Sequence, residues 1–571
     1  MSYHRRIQRR PVPPASDGRQ PGETGSDNQA LLERLFRIRG IAGPDQMDHS
    51  LAGLIPPNQL KHIDAAATLV ADALTQDDRI VIVGDFDADG ATGTALLVSA
   101  LRAMGASAVD YLVPDRFRFG YGLTPEIVQL AARLEPRLLV TVDNGISSIE
   151  GVAEANRLGI RVLVTDHHLP GEHLPAAAAI LNPNQPGCPF PSKCIAGVGV
   201  AFYLMSAVRA RLREQGYFQA RSEPNLADWL DLVALGTVAD VVPLDQNNRR
   251  LVHEGVRRIR AGRCRAGLRT LCEVAGIELR HLTTRDLAFG VAPRLNAAGR
   301  LDDMSIGIEC LLATEDEAQL LAERLDSLNR ERREIEVTMR DEAMQYMDAI
   351  SLEDRETGGI CLYSKDWHQG IVGIVASRVR EKTHRPVIAF APASADELKG
   401  SGRSIQGFHL RDALDTIAAR YPGLITRFGG HAMAAGLSLQ PDNLDRFRAA
   451  FDQLAAETLG EAQLEQLVET DGELGVAPSL DIARLIESAA PWGQGFPEPE
   501  FDDRFEVLEQ RIVGGRHLKL VLLPATGEPV EAICFNHHGL VESRYVHCAY
   551  RIEVNRFRGR EQVQLVVSVI L

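Results

Sequence analysis

The stretch Arg79-Ile-Val-Ile-Val-Gly84 runs directly into Asp85-Phe-Asp-Ala-Asp-Gly90. Four β-branched apolar residues in succession are typical of a strand that is buried on both faces of a parallel sheet. Similar apolar runs occupy residues 138–142 and 161–165, and helical stretches rich in alanine and leucine lie between the runs. The sequence therefore predicts an α/β domain with a parallel sheet, whose functional crevice lies at the carboxyl ends of the strands.

Acidic side chains follow each of these apolar runs. The first run is followed by three aspartates within five residues, and the other two end at Asp143 and at the tripeptide Asp166-His167-His168. A helix cap explains one aspartate in a loop, whereas neighbouring carboxylates repel one another unless a cation binds. A fourth apolar run, 231–239, leads to Asp240, and we expect it to end, like the strands, at the same edge of the sheet.

The residue types at this edge predict a metal centre. Aspartate and imidazole without thiolate favour Mn²⁺ or Mg²⁺ over structural zinc. Two such ions suit phosphoryl chemistry, because one activates a water and both stabilise charge on the in-line transition state. His168 is then available to contact a phosphate or to handle a proton. The chain has no Walker A motif, which argues against motor chemistry driven by a P-loop.

Four short motifs, DFDADG (85–90), VDNG (142–145), TDHH (165–168) and VAD (238–240), resemble in order and spacing those of the DHH phosphoesterase superfamily. Within it, the chain resembles the RecJ family of single-strand-specific 5′→3′ DNA exonucleases over nearly its whole length. The stretches that further carry this resemblance are PDRFRFGYGLT (114–124), APRLNAAGRLDD (292–303), WHQGIVGIVASRV (367–379), GSGRS (400–404) and FGGHAMAAGLSL (428–439).

The resemblance implies a set of metal ligands and a catalytic pair. The implied ligands are Asp87, Asp89, Asp143, His167 and Asp240, with Asp143 as the bridging ligand. Asp85 is a further candidate ligand, because many members carry a histidine four residues before the first aspartate of the pair and this chain has Val83 there. His168 matches the residue that contacts the scissile phosphate, and with Asp166 it forms the predicted catalytic pair.

Residues in the supporting stretches are predicted to hold the substrate: Arg116, Tyr121, Arg294, Asn296, Arg300, Ser401, Arg403, Ser404, Gly429, Gly430 and His431. Small-residue turns with donors attached let backbone amides approach a phosphate closely. Other interpretations stay open at this point. Tight turns alone would explain each glycine pair, buried salt bridges would explain the three arginines before residue 301, and a core position would explain Tyr121.

The chain is expected to divide into a flexible tail (1–28), a DHH catalytic domain (29–310), a connecting long helix (311–357), a smaller α/β DHHA1 domain (358–460) and an OB-like domain (461–571). The connecting segment lacks Gly and Pro from residue 316 to 357, and apolar residues alternate strictly along 563–571, which predicts a strand of a small β-barrel. In that barrel, arginines 551, 556, 558 and 560 alternate with Tyr550 and Phe557. They fit either a groove for single-stranded nucleic acid or a solvated surface.

Charge and cysteine content limit the possible functions. Acidic residues number 77 against 62 basic ones, and the formal charge of −15 argues against a generic nucleic-acid coat and leaves a locally basic groove as the route to polyanion binding. The eight cysteines show no metal-ligand spacing and are expected to be reduced thiols. No apolar run reaches the roughly 20 residues of a membrane span. We therefore expect a cytoplasmic protein that does not enter a membrane.

The sequence favours a metal-dependent exonuclease that degrades single-stranded DNA from the 5′ end to 5′-mononucleotides, in DNA repair and recombination, as a monomer. A DNA helicase and a single-strand-binding protein are implied as partners by the resemblance alone. One alternative is a DHH phosphodiesterase for oligonucleotides or cyclic dinucleotides, against which the long helix and the barrel argue. The other is a non-catalytic scaffold, against which the intact ligand set argues.

Overall fold

The structure is a computed structural model, and the residues it describes are 5–13, 27–41, 43–114, 119, 121–349, 358–460, 463, 465–525, 527–557 and 559–571. The chain forms two compact units. The larger unit comprises residues 11–329 and 471–568, and the smaller unit comprises residues 1–10, 330–470 and 569–571. Within the described residues, no helix combines the length and the apolar character that crossing a membrane requires. All eight cysteines are free thiols.

The strands are β1 Arg5–Arg9, β2 Ile80–Gly84, β3 Val109–Leu112, β4 Leu138–Val142, β5 Arg161–Thr165, β6 Ala179–Leu181, β7 Ile360–Tyr363, β8 Val387–Pro392, β9 Leu398–Arg403, β10 Arg427–Gly430, β11 Ala434–Leu439, β12 Gln466–Thr470, β13 Phe501–Val513, β14 His517–Pro524, β15 Val530–Cys534, β16 Tyr545–Phe557 and β17 Arg560–Ile570.

The helices are α1 Asp27–Ile38, α2 Ile63–Thr75, α3 Ala88–Ala103, α4 Pro125–Ala132, α5 Ile149–Arg157, α6 Gly197–Glu214, α7 Leu230–Ala239, α8 Gln246–Arg260, α9 Ala266–Val274, α10 Thr284–Asp286, α11 Ala292–Leu301, α12 Ser305–Leu312, α13 Glu315–Ala349, α14 Val372–Thr383, α15 Leu410–Arg420, α16 Leu444–Thr458 and α17 Leu480–Ala489. A π-helical turn, Leu287–Val291, joins α10 to α11.

The sheet of the larger unit confirms the predicted parallel architecture. Its strand order is β3-β2-β4-β5-β6, and all neighbouring strands are parallel. Along β2, Ile80 and Ile82 pack into a core with α2, α3 and α6, whereas Val81 and Val83 pack into a second core with α4 and α5. Successive side chains of a strand point to opposite faces, so an unbroken apolar run is what a sheet covered on both faces requires.

The fourth apolar run is a helix, and the expectation that Asp240 follows a strand is wrong. Residues 230–239 form α7, which is buried on all sides from Leu230 to Thr237, and Asp240 is its C-cap. An apolar run that is buried all round has no polar face, so periodicity cannot distinguish helix from strand. Asp240 nevertheless reaches the edge where the strands end, because α7 packs against α3 and α6.

The predicted long helix is present as α13, which spans 35 residues and therefore extends about 50 Å at 1.5 Å per residue. It begins in the larger unit and ends in the smaller one. The smaller unit contains a mixed sheet of order β10-β11-β9-β8-β7, in which only β7 and β8 are parallel neighbours. The phenylalanine-rich helix α16 and α15 contribute to its core.

The predicted barrel is closed, with the strand order β13-β14-β15-β17-β16. The alternating run at the end of the chain forms β17, which pairs in parallel with β15. Part of the segment expected to be a flexible tail is also a strand, because β1 pairs in parallel with β12 in a two-stranded sheet. This pairing satisfies backbone groups of β12 that an edge strand would otherwise expose. Residues 1–4 and 14–26 of that segment lie outside the described residues.

A buried ion pair ties the end of α1 to the segment before the barrel. Arg39 donates hydrogen bonds to Asp471 at 2.9 and 3.3 Å and to the carbonyl of Pro497 at 2.7 Å. The two charged side chains are 2% and 0% exposed, and the guanidinium lies 5.1 Å from the centre of the Trp492 ring. Because water is excluded from both side chains, each buried charge is stabilised by the other.

We expect Arg39→Ala to lower the free energy of unfolding by about 3–5 kcal/mol, because it leaves the Asp471 carboxylate buried without its cation. Urea denaturation followed by circular dichroism measures the change. Arg79→Ala is the matched control, since Arg79 pairs with Asp110 at a half-exposed position and such pairs contribute at most about 1 kcal/mol. Equal losses for the two variants would contradict the interpretation.

Candidate active site

The loop after β2 supplies the first group of carboxylates. Asp87 is the N-cap of α3, and its Oδ1 accepts hydrogen bonds from the backbone N–H groups of Asp89 and Gly90 at 2.9 and 3.1 Å. Asp89 is buried in the first turn of α3 and accepts the backbone N–H groups of Gly197 and Val198, at the start of α6, at 2.6 and 2.9 Å. The positive ends of two helices therefore stabilise its charge.

The loop after β4 turns sharply to present Asp143. Its φ is 62°, and the residue is buried. The side chain of Asn144 donates to the carbonyls of Val83 and Val142 at 3.1 and 2.9 Å, which ties the ends of β2 and β4 together. A Cβ atom on Gly197 would lie 2.7 Å from the Cβ of Asp143, so the approach of α6 to this loop requires glycine. The sequence motifs gave no sign of the role of Gly197.

The loop after β5 is organised by Asp166. Its carboxylate accepts the backbone N–H groups of Ile146, His167 and His168 at 2.9, 2.7 and 3.1 Å, and it lies 2.8 Å from Nδ1 of His168. Asn182 and Asn184 hold the same loop, by donating to the carbonyls of His168 and His167 at 2.9 and 2.6 Å. These two asparagines follow the short strand β6 and were not predicted from the sequence.

The predicted ligands converge on His167. Its Nε2 lies 3.0 Å from Asp143 Oδ1, 3.4 Å from Asp240 Oδ2 and 3.9 Å from Asp89 Oδ2. Asp85, Asp87 and Asp143 form a second cluster, whose ligand atoms lie within 4.8 Å of one another. Three buried atoms of the site, His167 Nε2, Asp143 Oδ1 and Asp240 Oδ2, have no hydrogen-bond partner. Lone pairs that face one another without a proton donor fit divalent metal ions.

The acidic groups raise one another's pKa. Burial, followed by the charge of Asp87, raises the pKa of Asp89 to about 7. Burial, followed by the charges of Asp89 and Asp87, raises the pKa of Asp240 to about 9 and that of Asp143 well above its ordinary value. Charges that are this unfavourable without a counter-ion are stabilised when a cation binds among them.

The pKa values of the adjacent residues His167 and His168 are shifted in opposite directions. Burial, followed by the charge of His168, lowers the pKa of His167 to about 4, so that this imidazole is neutral and offers a lone pair. Burial alone would also lower the pKa of His168, but its hydrogen bond with Asp166 and the nearby carboxylates raise it to about 9. The carboxylates therefore favour the charged form of His168, and its side chain is 36% exposed.

Comparison with known proteins assigns the chain to a family. Three sequence models match: "DHH family, N-terminal domain" over residues 79–237, "DHHA1 domain" over residues 356–457, and "RecJ OB domain" over residues 470–568. The chain is 55% identical over 551 residues to the single-stranded-DNA-specific exonuclease RecJ of Dickeya dadantii, and the match covers 94% of this chain and 95% of that protein. The chain belongs to the RecJ family.

Other members of the RecJ family agree with this assignment. The RecJ of Escherichia coli is 51% identical, with 95% of each chain covered. The crystal structure of Thermus thermophilus RecJ in complex with Mn²⁺ superposes with a TM-score of 0.79 at 32% identity and covers 95% of this chain and 76% of that one. The Mg²⁺ complex of the same protein gives a TM-score of 0.73 at 31% identity.

The residues predicted to hold the substrate in the larger unit have different environments. Arg116 lies outside the described residues. Arg294 forms a buried salt bridge with Asp326 at 2.8 Å, in agreement with its alternative interpretation, and its substrate contact stays a prediction. Asn296 accepts the backbone N–H of Ala88 at 2.9 Å and thereby supports the first motif. Arg300 is half-buried on the same helix, α11.

In the smaller unit, the structure brings the predicted residues onto neighbouring strands. Arg403 pairs with Ala434 across β9 and β11, and Gly430 pairs with Ala435 across β10 and β11. Arg403 donates a hydrogen bond to Ser401 Oγ at 3.1 Å. Burial and the charge of Arg380 lower the pKa of Arg403, which indicates a desolvated cation beside another one. An anion bound there would relieve this repulsion.

The remaining predicted residues of the sheet edge differ in exposure. Gly429 is exposed with open space above it, and His431 is exposed at the turn into β11. Ser404 is completely buried and donates to the carbonyl of Phe408 at 2.6 Å, and its role as a substrate contact stays a prediction. Its hydroxyl satisfies a buried carbonyl, which the sequence could not reveal.

The candidate contact residues of the barrel have different environments. Tyr550 is buried and donates to Asp503 at 2.8 Å, so its ring is not available to stack on a base. Arg551 and Arg556 form ion pairs with neighbouring glutamates, for example Arg556 with Glu487 at 2.9 Å. Phe557 remains largely exposed, and Arg558 lies outside the described residues.

We expect Mn²⁺ to stabilise the wild-type protein against thermal unfolding and to leave Asp143→Asn unstabilised. A ligand at 100 times its Kd adds about 2.7 kcal/mol, whereas the amide lacks the charge that holds the ion. Without metal, Asp143→Asn should be at least as stable as the wild type, because it removes repulsion. Differential scanning calorimetry with EDTA or Mn²⁺ tests both points, with Asp110→Asn, a half-exposed position outside the cluster, as control. Equal Mn²⁺ stabilisation of Asp143→Asn would refute the assignment.

Metal-free protein should lose stability as the pH rises from about 4 to about 9. The pKa values of Asp89 and Asp240 are raised in the folded state from 3.8 to about 7 and about 9, so folding binds protons that are released through this range. Asp240→Asn should make the slope of unfolding free energy against pH shallower, and the exposed Asp64→Asn should leave it unchanged. Urea titrations in EDTA at several pH values measure the slope, and a flat wild-type profile would contradict the prediction.

Proposed function

We propose that this chain is a metal-dependent exonuclease that degrades single-stranded DNA from its 5′ end and releases 5′-mononucleotides. Membership of the RecJ family supports the activity, since the similar proteins carry the name single-stranded-DNA-specific exonuclease. The observation that carries the proposal is the cluster of buried, unpartnered ligand atoms on Asp143, His167 and Asp240. A scaffold that had lost its metals would have no use for such a cluster.

Two divalent ions, Mn²⁺ or Mg²⁺, fit the two groups of ligands. Asp89, His167 and Asp240 would hold one ion, and Asp85 and Asp87 would hold the other, with Asp143 shared between them. Bound ions of this kind activate a water and stabilise negative charge on the phosphate. His167 remains neutral and offers Nε2 as a ligand because its pKa is lowered to about 4.

His168 supplies a positive charge at the reacting phosphate. Its Nδ1 faces Asp166, whose pKa burial would raise but whose hydrogen bonds with His168 and Ile146 lower. Asp166 therefore stays ionised and fixes both the orientation and the charge of the imidazole, in the way a carboxylate holds a catalytic histidine. The accessible side chain of His168 can then stabilise the charge that develops on the scissile phosphodiester.

The smaller unit is proposed to hold the phosphates of the strand. Ser401, Arg403 and His431 offer donors, and Gly429 leaves the backbone open to a close approach. Gly430 is a further proposed contact through its backbone. Arg116, Arg300 and the exposed face of the barrel are further proposed contacts. The domain boundaries 29–310, 311–357, 358–460 and 461–571, the cytoplasmic location, the monomeric state and the helicase and single-strand-binding partners remain predictions.

An assay with end-labelled 30-nucleotide strands tests the proposal. We expect early release of a 5′-labelled mononucleotide, late loss of a 3′ label, slow attack on blunt duplex, and no activity in EDTA. Asp240→Asn should lose about 100-fold or more in rate because a metal ligand is gone, and Asp110→Asn should retain wild-type activity.

Each result that differs from these expectations would refute a different part of the proposed function. First loss of the 3′ label would refute the direction, and equal attack on duplex would refute the strand specificity. Cleavage confined to dinucleotides or cyclic dinucleotides would favour the small-substrate phosphodiesterase. Binding of Mn²⁺ without cleavage of any of these substrates would favour the scaffold.

A further inference from the structure

One aromatic side chain touches all three aspartate loops at the edge of the sheet. The ring of Tyr121 makes an edge contact with Phe86, between the first two aspartates of the β2 loop, at a centroid distance of 6.1 Å and an interplanar angle of 79°. Its hydroxyl lies 3.3 Å from the carbonyl oxygen of Asp143. The ring and hydroxyl also contact His168, with centroids 5.7 Å apart and Oη 3.2 and 3.3 Å from the ring nitrogens.

The Tyr121 hydroxyl lies between the imidazole of His168 and the backbone carbonyl of Asp143. Nδ1 of His168 is paired with Asp166 at 2.8 Å, and the Tyr121 oxygen lies almost equally far from both ring nitrogens, at 3.2 and 3.3 Å. The Tyr121 hydroxyl can then donate to the Asp143 carbonyl, which cannot donate itself. The result is a continuous series of polar contacts from Asp166 through His168 and Tyr121 to the backbone of Asp143.

The backbone around Tyr121 is itself anchored. Gly122 adopts a φ of 77°, which favours glycine, and the N–H of Leu123 donates to Ser148 Oγ at 3.0 Å. Leu123 is buried in the core beneath α4 and α5. The side chain of Tyr121 therefore projects from a fixed point, although 52% of it is exposed. A fixed hydroxyl can restrict a histidine ring that is otherwise held at one nitrogen only.

We propose that Tyr121 is a positioning residue, whose hydroxyl orients His168 for the scissile phosphate and joins it to the backbone of Asp143. This inference deepens the proposed function and rests on it for the role of His168. It replaces the expectation that Tyr121 stacks on a base of the substrate. Preorganised donors stabilise developing charge better than mobile ones, and a displaced catalytic group reduces turnover rather than substrate binding.

The hydroxyl and the ring can be tested separately. Tyr121→Phe keeps the ring and removes only the hydroxyl, and we expect it to lower kcat at least about tenfold while KM stays within about twofold. Tyr217→Phe is the matched control, because Tyr217 also uses its hydroxyl, with Arg221, but lies outside the site. Thermal unfolding and Mn²⁺ titration of each variant verify that folding and metal binding are unchanged.

A double-mutant cycle tests whether Tyr121 acts through His168. Under single-turnover conditions with excess enzyme, we expect Tyr121→Phe to change the rate of His168→Ala by no more than about twofold. Full additivity would overturn the proposal, and so would weakened Mn²⁺ binding by Tyr121→Phe, which would indicate action on the Asp143 loop. If Tyr121→Phe had wild-type kinetics and Tyr121→Ala had a raised KM, the results would instead support stacking of Tyr121 on a base of the substrate.

The cycle is repeated with thymidine 5′-(p-nitrophenyl phosphate), a small chromogenic phosphodiester. This substrate needs the metal centre and His168 but not the strand-holding surfaces of the smaller unit. If the end-labelled strands were not degraded from the 5′ end, the proposed function would fail. Non-additive effects of the Tyr121 and His168 substitutions on the small ester would still support the role of Tyr121. Additivity on the ester, with normal strand degradation by the wild type, would refute the positioning role alone.

Discussion

The electrostatic repulsion among the aspartates at the carboxyl edge of the sheet is the constraint on which the rest of the larger unit depends. Asp89, Asp143 and Asp166 are buried there, where charge is poorly solvated. The fold compensates with backbone N–H groups: α6 points its first amides at Asp89, and the β5 loop directs three amides at Asp166. Asp143 and Asp240 lack such donors on one oxygen each, and those are the atoms left for metal.

The same buried aspartates shift the pKa values of the neighbouring residues His167 and His168 in opposite directions. His167 points into the candidate ligand cluster, where burial lowers its pKa, and His168 pairs with Asp166, which raises its pKa. Residue type alone does not distinguish them. The difference comes from the hydrogen bond of Asp166 with His168, which in turn depends on the backbone turn of the β5 loop. One dipeptide therefore contains both the candidate metal ligand and the proposed phosphate contact.

The sequence predicted the parts of the fold whose signal is local. The strands β2, β4 and β5 are apolar on both faces, and parallel strands bring their following aspartates to one edge whatever the loops do. The partners of buried polar groups could not be predicted: Arg294 pairs with Asp326, Ser404 with the carbonyl of Phe408 and Tyr550 with Asp503. The helix α7 was mistaken for a strand because an apolar run buried all round carries no period.

The aspartates of the candidate metal centre belong to the acidic excess that gives the chain its net charge of −15, and they affect how a DNA phosphate can approach the site. A DNA phosphate that approaches the unmetallated cluster meets several buried carboxylates, which repel it at short range through a poorly screening interior. Bound divalent ions reverse the sign of the local potential, so that a phosphate is attracted where the carboxylates alone would repel it. Metal binding and productive strand binding are therefore thermodynamically linked, and by reciprocity a bound phosphodiester increases the affinity of the site for its ions.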